Sequence, residues 1–369
     1  MMLLILVFHS ALTYIVTDLG IVWPIKDPNG TSILFDGLIA FINCVSMPVF
    51  FVMSGFMTSS LFVELGVRGM IRNRVNRIFL PFIVFLLILF PITGIAFFNL
   101  KFTISNSPDP FFSAWSQLYD NQFEWRRFRP IHLWFLYYLI LFCVGGGILA
   151  SLFGGRLPGV SQMMDKVFSS RYFMKVAPLI LAAVSFILLY FRKQNTIETP
   201  GLFSINFLVF FSYALFFAFG WILYFQKNYL TRFRDRYLYL LAIGFCFFII
   251  KLAILSNGKW VAFKSMQVIL AAIHALIMWY LIFGLIGLAL KYFNKHSLIG
   301  RYLNDASYWI YLVHFPIVFF LQAALVPVDL SVYIKFLLVV TLTFLLSILS
   351  YHYLVYQRSI GKFLNGKKL

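Results

Sequence analysis

Residues 308–320 read YWIYLVHFPIVFF, an apolar stretch that contains one titratable ring, His314, and one proline, Pro316. The rest of the chain has the same character. Of its 369 residues 62% are hydrophobic, 20% aromatic and 11% charged, and the mean hydropathy is +0.90. Soluble domains carry about 25% charged residues. The composition therefore excludes an ordinary soluble domain and predicts a polytopic membrane protein.

Apolar runs of transmembrane length recur along the chain, each crossing requiring about 20 mostly apolar residues. They predict an all-α integral membrane protein with about ten transmembrane helices, organised as a single membrane-embedded domain over residues 1–369. The first run lacks a basic start and a small-residue cleavage site, so it is interpreted as a retained span rather than a signal peptide. The predicted spans are 2–22, 33–62, 79–100, 131–153, 174–191, 202–225, 237–256, 260–290, 306–327 and 332–356.

The formal net charge of +18 sits in short loops between the spans, so it does not indicate a nucleic-acid-binding domain. With the N-terminus inside, the connections on that side, the tail and Lys175 hold 19 of the 30 Lys and Arg residues. The positive-inside rule then predicts that both termini are cytoplasmic. On the other side, the loop 101–130 ends in Arg126, Arg127 and Arg129, a cluster that fits either headgroup anchoring or a site role.

The cysteines and acidic residues give no sign of a metal centre. Cys44, Cys143 and Cys246 stand singly in apolar runs, which favours a packing role. No cluster of His, Cys, Asp or Glu has the spacing of metal ligands, so no metal site is predicted.

Ionisable residues inside the predicted spans are costly in a bilayer and are therefore functional candidates. Histidine can take up and return a proton near neutral pH, which suits a general base acting on a hydroxyl. The alternative for each is a neutral imidazole bonded to a neighbouring helix, and this alternative is favoured for His274 and His352. The candidates are His9, Asp36, His132, His274, His314 and His352.

Two arginines in the segment RNRVNRIFLP, residues 72–81, are the second unusual feature. Arg74 and Arg77 are three apart, so on a helical segment they share a face and could grip one polyanion. A topogenic charge cluster on a cytoplasmic loop explains the same residues, and their spacing alone does not decide between the two.

The proline beside His314 has a local consequence. Pro316 frees the carbonyl about four residues before it, near Leu312, and a neighbouring polar ring can help to satisfy that group. His314 thus belongs either to a structural kink or to the wall of a cavity, and the cavity wall is slightly favoured.

Taken in order, five motifs resemble those of membrane acyltransferase family three over nearly the whole chain: VFHSAL, MPVFFVMSGF, RVNRIFLP, HLWFL and YLVHFP. Within that family, SINFLVFFSYALFFAFGWILY and LSYHYLVYQRSIGKFLNGK are similar to the branch of succinyltransferases that decorate periplasmic glucans. The family carries an arginine further upstream of the first-span histidine than this chain reaches. We therefore expect that the natural start lies upstream of Met1.

The resemblance implies a multi-pass enzyme of the bacterial inner membrane. Its donor would be a cytoplasmic acyl-coenzyme A, used as a co-substrate with no permanently bound cofactor, and its acceptor a hydroxyl of a periplasmic glucan or related carbohydrate. By position, His9 matches the family's essential histidine, and Arg74 with Arg77 match the arginine pair associated with coenzyme A.

These matches lead to a mechanistic hypothesis. His9 deprotonates the acceptor hydroxyl, or carries the acyl group itself, while Arg74 and Arg77 hold the donor's phosphates. Asp36, His132 and Trp134 are predicted to line the acceptor entrance. His314 is assigned to the substrate-binding wall without a chemical role.

Two other functions stay open at this stage. One is an O-acetyltransferase acting on another surface polysaccharide or a lipid. The other is a transporter or flippase, which has no need of coenzyme A and should tolerate loss of the arginine pair. The expected partners are acyl-coenzyme A, the carbohydrate acceptor and the lipid bilayer, nucleic acid is not expected, and a homodimer is left open.

Overall fold

The computed structural model describes residues 2–20, 23–119, 128–153, 157–256, 263–293 and 297–365, and its regular structure in these ranges is entirely helical. The helices are α1 (Met2–Ala11), α2 (Ile33–Arg74), α3 (Leu80–Ile104), α4 (Pro110–Tyr119), α5 (Trp134–Phe153), α6 (Leu157–Ser169), α7 (Phe173–Arg192), α8 (Phe207–Phe225), α9 (Leu230–Ser256), α10 (Lys264–Tyr292), α11 (Leu298–Leu325), α12 (Val332–Ser350) and α13 (Ser359–Asn365).

The prediction of an all-α integral membrane protein is confirmed, but the number of spans differs. Among the described residues, eight helical stretches are long and apolar enough to cross a membrane, against about ten predicted. Seven of them correspond to the fourth to tenth predicted spans.

The second and third predicted spans, 33–62 and 79–100, fall within one helical stretch of 72 residues, Ile33–Ile104. A straight helix of that length would measure about 108 Å, several times the bilayer core of about 30 Å. Two features break its regularity, namely Gly66 at φ 66° and ψ 179° and a π-helical turn over Val75–Phe79.

The first predicted span, 2–22, is also shorter in the structure. Its apolar helix covers only Met2–Tyr14, of which the last turn is 3₁₀. The chain leaves the helix at Ile15, where the backbone is extended. The polar residues Thr17 and Asp18, which are poor helix formers, follow two and three residues later.

Helices α2 and α8 cross at two glycines, which lets their backbones touch. A Cβ atom on Gly55 would lie 2.0 Å from the carbonyl oxygen of Phe217, and one on Gly220 would lie 1.9 Å from that of Val52. Small residues at helix crossings are a common device in membranes because they permit close van der Waals packing. This crossing brings α2 and the turn that follows it against the middle of the bundle.

Aromatic rings fill much of the core. The fully buried Trp279 of α10 packs against Phe216, Phe219 and Phe283, and its Nε1 donates to Ser185 Oγ at 2.8 Å. The indole hydrogen bond satisfies the only polar atom that this ring buries. The core therefore holds α7, α8 and α10 in fixed register beside α2.

Candidate active site

Three of the predicted site histidines meet inside the bundle although they are far apart in the chain. His9 comes from α1, His132 from the 3₁₀ turn Ile131–Leu133 before α5, and His314 from the middle of α11. The ring centroid of His314 lies 5.3 Å from that of His9 and 5.5 Å from that of His132. His314 is thus the central ring of the cluster.

The kink at Pro316 explains how two of these rings are held. Pro316 has no amide hydrogen to donate to the carbonyl of Leu312, and His132 Nε2 donates to that carbonyl instead, at 3.0 Å. His314 Nδ1 donates to the carbonyls of Tyr311 at 2.8 Å and Ile310 at 3.1 Å. Because a carbonyl oxygen only accepts, these contacts assign the proton to Nε2 of His132 and to Nδ1 of His314.

Three ring nitrogens of the cluster have no hydrogen-bond partner among the described residues, and the tautomers just assigned make those of His132 and His314 acceptors. They are His132 Nδ1, His314 Nε2 and His9 Nδ1, and all three atoms are buried. A buried polar atom left unpaired costs about 1–3 kcal/mol. A molecule that donates hydrogen bonds would satisfy all the acceptors among these atoms.

One aromatic ring packs against the whole cluster. The Phe315 centroid lies 4.5 Å from that of His9, 4.9 Å from that of His132 and 6.1 Å from that of His314. The Tyr311 hydroxyl donates to the backbone carbonyl of His132 at 2.6 Å and so fixes the 3₁₀ turn. The cluster is apolar on this side, which strengthens any hydrogen bond made inside it.

Among the residues that the structure describes, no group of three or more His, Cys, Asp or Glu side chains is arranged to hold a metal ion. The arrangement of the three histidines instead suits proton transfer. A neutral imidazole nitrogen with a free lone pair can accept the proton of a hydroxyl that approaches it.

The predicted arginine pair lies at the π-helical turn, and its two members have different neighbours. Arg74 is half-buried and its Nη2 donates to Thr58 Oγ1 of α2 at 2.9 Å, while its buried Nε has no partner among the described residues. Arg77 is exposed and lines an open pocket of about 400 Å³. The π turn Val75–Phe79 begins directly after Arg74 and contains Arg77, so both arginines lie at one bend of the helical stretch, and their common face stays a prediction.

Two further predicted site residues, Asp36 and Trp134, make their contacts with groups other than the three histidines. Asp36 uses both carboxylate oxygens to accept from the backbone amides of Val16 at 2.8 Å and Thr17 at 2.9 Å. It thereby holds the chain that leaves α1, which is a structural task. Within the part of the chain that the structure describes, these hydrogen bonds link Asp36 to the segment after α1 and not to the histidines.

Trp134 does not offer an open face for a sugar. The residue is 2% exposed, and its ring centroid lies 5.1 Å from that of Tyr213, 5.7 Å from that of Tyr138 and 6.1 Å from that of Phe51. The residue type favoured a stacking platform, but the ring is enclosed by other aromatic side chains. Of the other basic candidates, Arg129 is exposed, and Arg126 and Arg127 lie outside the described residues.

His274 belongs to a second polar cluster that sequence reasoning missed. Its Nδ1 lies 2.9 Å from Lys251 Nζ and 3.3 Å from Cys44 Sγ, so the three groups join α10, α9 and α2. The expected bond from His274 to a neighbouring helix is present. Lys251 was detectable as a charged residue within the predicted span 237–256, which is the signal that an intramembrane cation gives.

Comparison with known proteins gives one match. A family model described as an acyltransferase domain matches residues 1–352, a range that contains the three clustered histidines and both arginines. No curated protein and no solved structure matches the chain.

Proposed function

This chain belongs to acyltransferase family three and is a multi-pass membrane acyltransferase, and from that premise we propose that it moves an acyl group from cytoplasmic acyl-coenzyme A to a carbohydrate hydroxyl. The observation that carries the proposal is the cluster of three imidazoles, each with a buried ring nitrogen that has no hydrogen-bond partner among the described residues. A sugar hydroxyl is a hydrogen-bond donor of the kind that this cluster lacks.

In the proposed reaction His9 is the general base. Its unpartnered Nδ1 accepts the proton of the acceptor hydroxyl as the hydroxyl oxygen attacks the thioester carbonyl. The carbon–sulfur bond then breaks, the acyl group stays on the sugar oxygen, and the coenzyme A thiolate takes up the proton from His9. His132 and His314 position the hydroxyl through their free nitrogens.

The arginines support the donor half of the proposal. Coenzyme A carries phosphate groups, and guanidinium groups bind phosphate through charge-assisted hydrogen bonds. The unpartnered Nε of Arg74 and the exposed guanidinium of Arg77 offer such donors at the π-helical turn. The basic connections next to this turn support a cytoplasmic position for it and for both termini, with the enzyme in the bacterial inner membrane.

Succinyl is the acyl group that we propose, with a periplasmic glucan as the acceptor, because of the resemblance to the glucan-modifying branch of the family. A succinyl group adds a carboxylate that an acetyl group lacks. Purified protein in nanodiscs, given succinyl-coenzyme A or acetyl-coenzyme A with glucan oligosaccharides, would show which donor is consumed. Preference for acetyl would overturn this part while leaving acyl transfer intact.

The central test is the change His9→Ala. We expect a loss of transfer of at least about 100-fold, since general-base catalysis contributes on the order of 10²–10⁴. Binding of coenzyme A, measured by its effect on the melting temperature, should be retained. His352→Ala is the matched control, because His352 is an exposed histidine on another helix. Transfer that survives His9→Ala would sink the assignment of the base.

A further inference from the structure

The pocket beside Arg77 has a second wall that lies outside the matched family domain. Residues 73–80 supply one wall, and the C-terminal helix α13 supplies the other. The family match ends at residue 352, before α13 begins. The lining residues are Asn73, Asn76, Arg77, Leu80, Lys362 and Phe363.

The positive charge of this pocket favours the binding of an anion. Arg77 and Lys362 are both exposed cations, Asn73 and Asn76 add amide donors, and none of the six lining residues is acidic. Two cations and two amides around an open volume of about 400 Å³ suit a ligand with several phosphate oxygens.

The apolar residues of the pocket further restrict the class of ligand that it can bind. Phe363 and Leu80 contribute a ring and an aliphatic side chain next to the cations. Nucleobases stack on aromatic faces in a sequence-tolerant way. Side chains that donate hydrogen bonds to phosphate, placed beside an aromatic face, are typical of a nucleotide site. A lipid headgroup could be bound by the cationic side chains without an aromatic ring.

Packing of α13 explains why Lys362 reaches this place. A Cβ atom on Gly361 would lie 2.2 Å from the carbonyl oxygen of Val355, so only glycine lets α13 lie this close to the π-helical turn Tyr351–Val355. On the other side Leu364 is buried in the main core. Lys362 and Phe363 are thus held between two fixed neighbours.

We propose that α13 completes the nucleotide-binding pocket of the acyl donor, with Lys362 as the second phosphate-binding cation opposite Arg77. The inference rests on the proposed function, since it takes the nucleotide to be the phosphorylated adenosine end of coenzyme A. Lys362 contacts the donor's phosphates and takes no part in the proton transfer at His9.

The test measures dissociation constants of coenzyme A and of adenosine 3′,5′-bisphosphate on the full chain in nanodiscs of zwitterionic lipid. We expect Lys362→Gln to weaken both by about fivefold, which corresponds to about 1 kcal/mol. Lys362→Arg keeps the cation and should bind like wild type. Lys166→Gln is the matched control, because it removes one exposed lysine that does not line the pocket.

Gly361→Val provides an independent variant. It leaves every charge in place but forces α13 away from Val355, so it should weaken both ligands as Lys362→Gln does. Unchanged binding in both Lys362→Gln and Gly361→Val, with wild type still binding coenzyme A, overturns the inference and leaves the proposed function standing.

Two other outcomes would show that the proposed function is wrong, or that the phosphate bound in this pocket belongs to a lipid. If wild type neither binds coenzyme A nor transfers an acyl group, the proposed function itself fails. A second set of nanodiscs, which contain phosphatidylglycerol, tests the lipid: if Lys362→Gln loses only the thermal stabilisation that this lipid provides, the pocket is a lipid-headgroup site and the inference is overturned.

Discussion

At the scale of single residues, Pro316 links helix geometry to the chemistry of the cluster. By removing one amide from the helix it leaves the Leu312 carbonyl open, and that carbonyl holds His132 Nε2 at 3.0 Å. The same bond fixes the tautomer of His132 and leaves its Nδ1 free to accept. A helix defect is therefore what orients one of the three imidazoles.

Pro316→Ala should separate activity from stability. The new amide competes for the Leu312 carbonyl, so His132 loses its acceptor and transfer falls by about tenfold or more, as small misplacements of catalytic groups do. The melting temperature should not fall, because proline inside a helix is disfavoured by about 3 kcal/mol relative to alanine. Both quantities are measured on protein purified in detergent.

Pro178→Ala in α7 serves as the comparison for this change, since Pro178 also lies inside a helix and that helix carries none of the three histidines. It should leave transfer unchanged. If Pro316→Ala retains full transfer, the bond between His132 and Leu312 has no role in positioning the acceptor.

At the scale of elements, the crossing of α2 and α8 positions both ends of the long helix. The turn that carries Arg77 directly follows α2, so the crossing fixes the helix from which this turn extends. Backbone contact at Gly55 and Gly220 leaves no room for a side chain at either position.

Gly220→Ala should destabilise the protein by about 1–3 kcal/mol, the usual cost of overpacking. The Cβ would lie 1.9 Å from the carbonyl oxygen of Val52, so one helix has to move. Thermal unfolding in nanodiscs measures the effect. Gly37→Ala in α2 is the control, because its Cβ meets nothing within 4 Å. Equal melting temperatures for the two variants would contradict the close crossing.

At the scale of the whole molecule, a buried ion pair joins an N-terminal segment of the chain to a C-terminal helix. Lys335 of α12 donates to Asp27 Oδ2 at 3.1 Å and to the carbonyl of Val326 at 3.3 Å, with the two charged side chains 0% and 2% exposed. The amide of Asp27 donates to Thr13, so the pair ties α12 to the segment that leaves α1. The position of His9 depends on this connection.

Breaking this pair on one side should be costly. Asp27→Asn leaves the Lys335 ammonium buried without a counter-ion, which typically costs about 3–5 kcal/mol. The double variant Asp27→Asn with Lys335→Met removes that charge and should recover part of the loss. Asp329→Asn, an exposed carboxylate nearby, is expected to leave the melting temperature unchanged. A double variant no more stable than Asp27→Asn would show that the isolated charge is not the cause.

Much of the architecture could be predicted from the sequence, because the hydropathy and charge of each segment by itself decide whether that segment can cross a bilayer. The all-α membrane class and seven of the eight long spans follow from apolar runs alone. The same logic pointed to His9, His132 and His314, since an ionisable group in an apolar run is costly wherever the run packs. The count of spans differs from the prediction, because the charged residues of 64–78 predict a loop, whereas the structure carries one continuous helical stretch through them with irregularities at Gly66 and the π turn.

The tertiary structure decided which of these residues act together, because side-chain contacts depend on helix rotation and crossing, which no local pattern contains. It places the rings of three histidines next to one another and encloses Trp134 among other aromatic side chains. It also shows that the Asp36 carboxylate accepts a hydrogen bond from the backbone amide of Val16. Sequence by itself determined that this is a helical membrane protein with polar groups at its centre. Packing alone determined that three of those groups, His9, His132 and His314, lie next to one another.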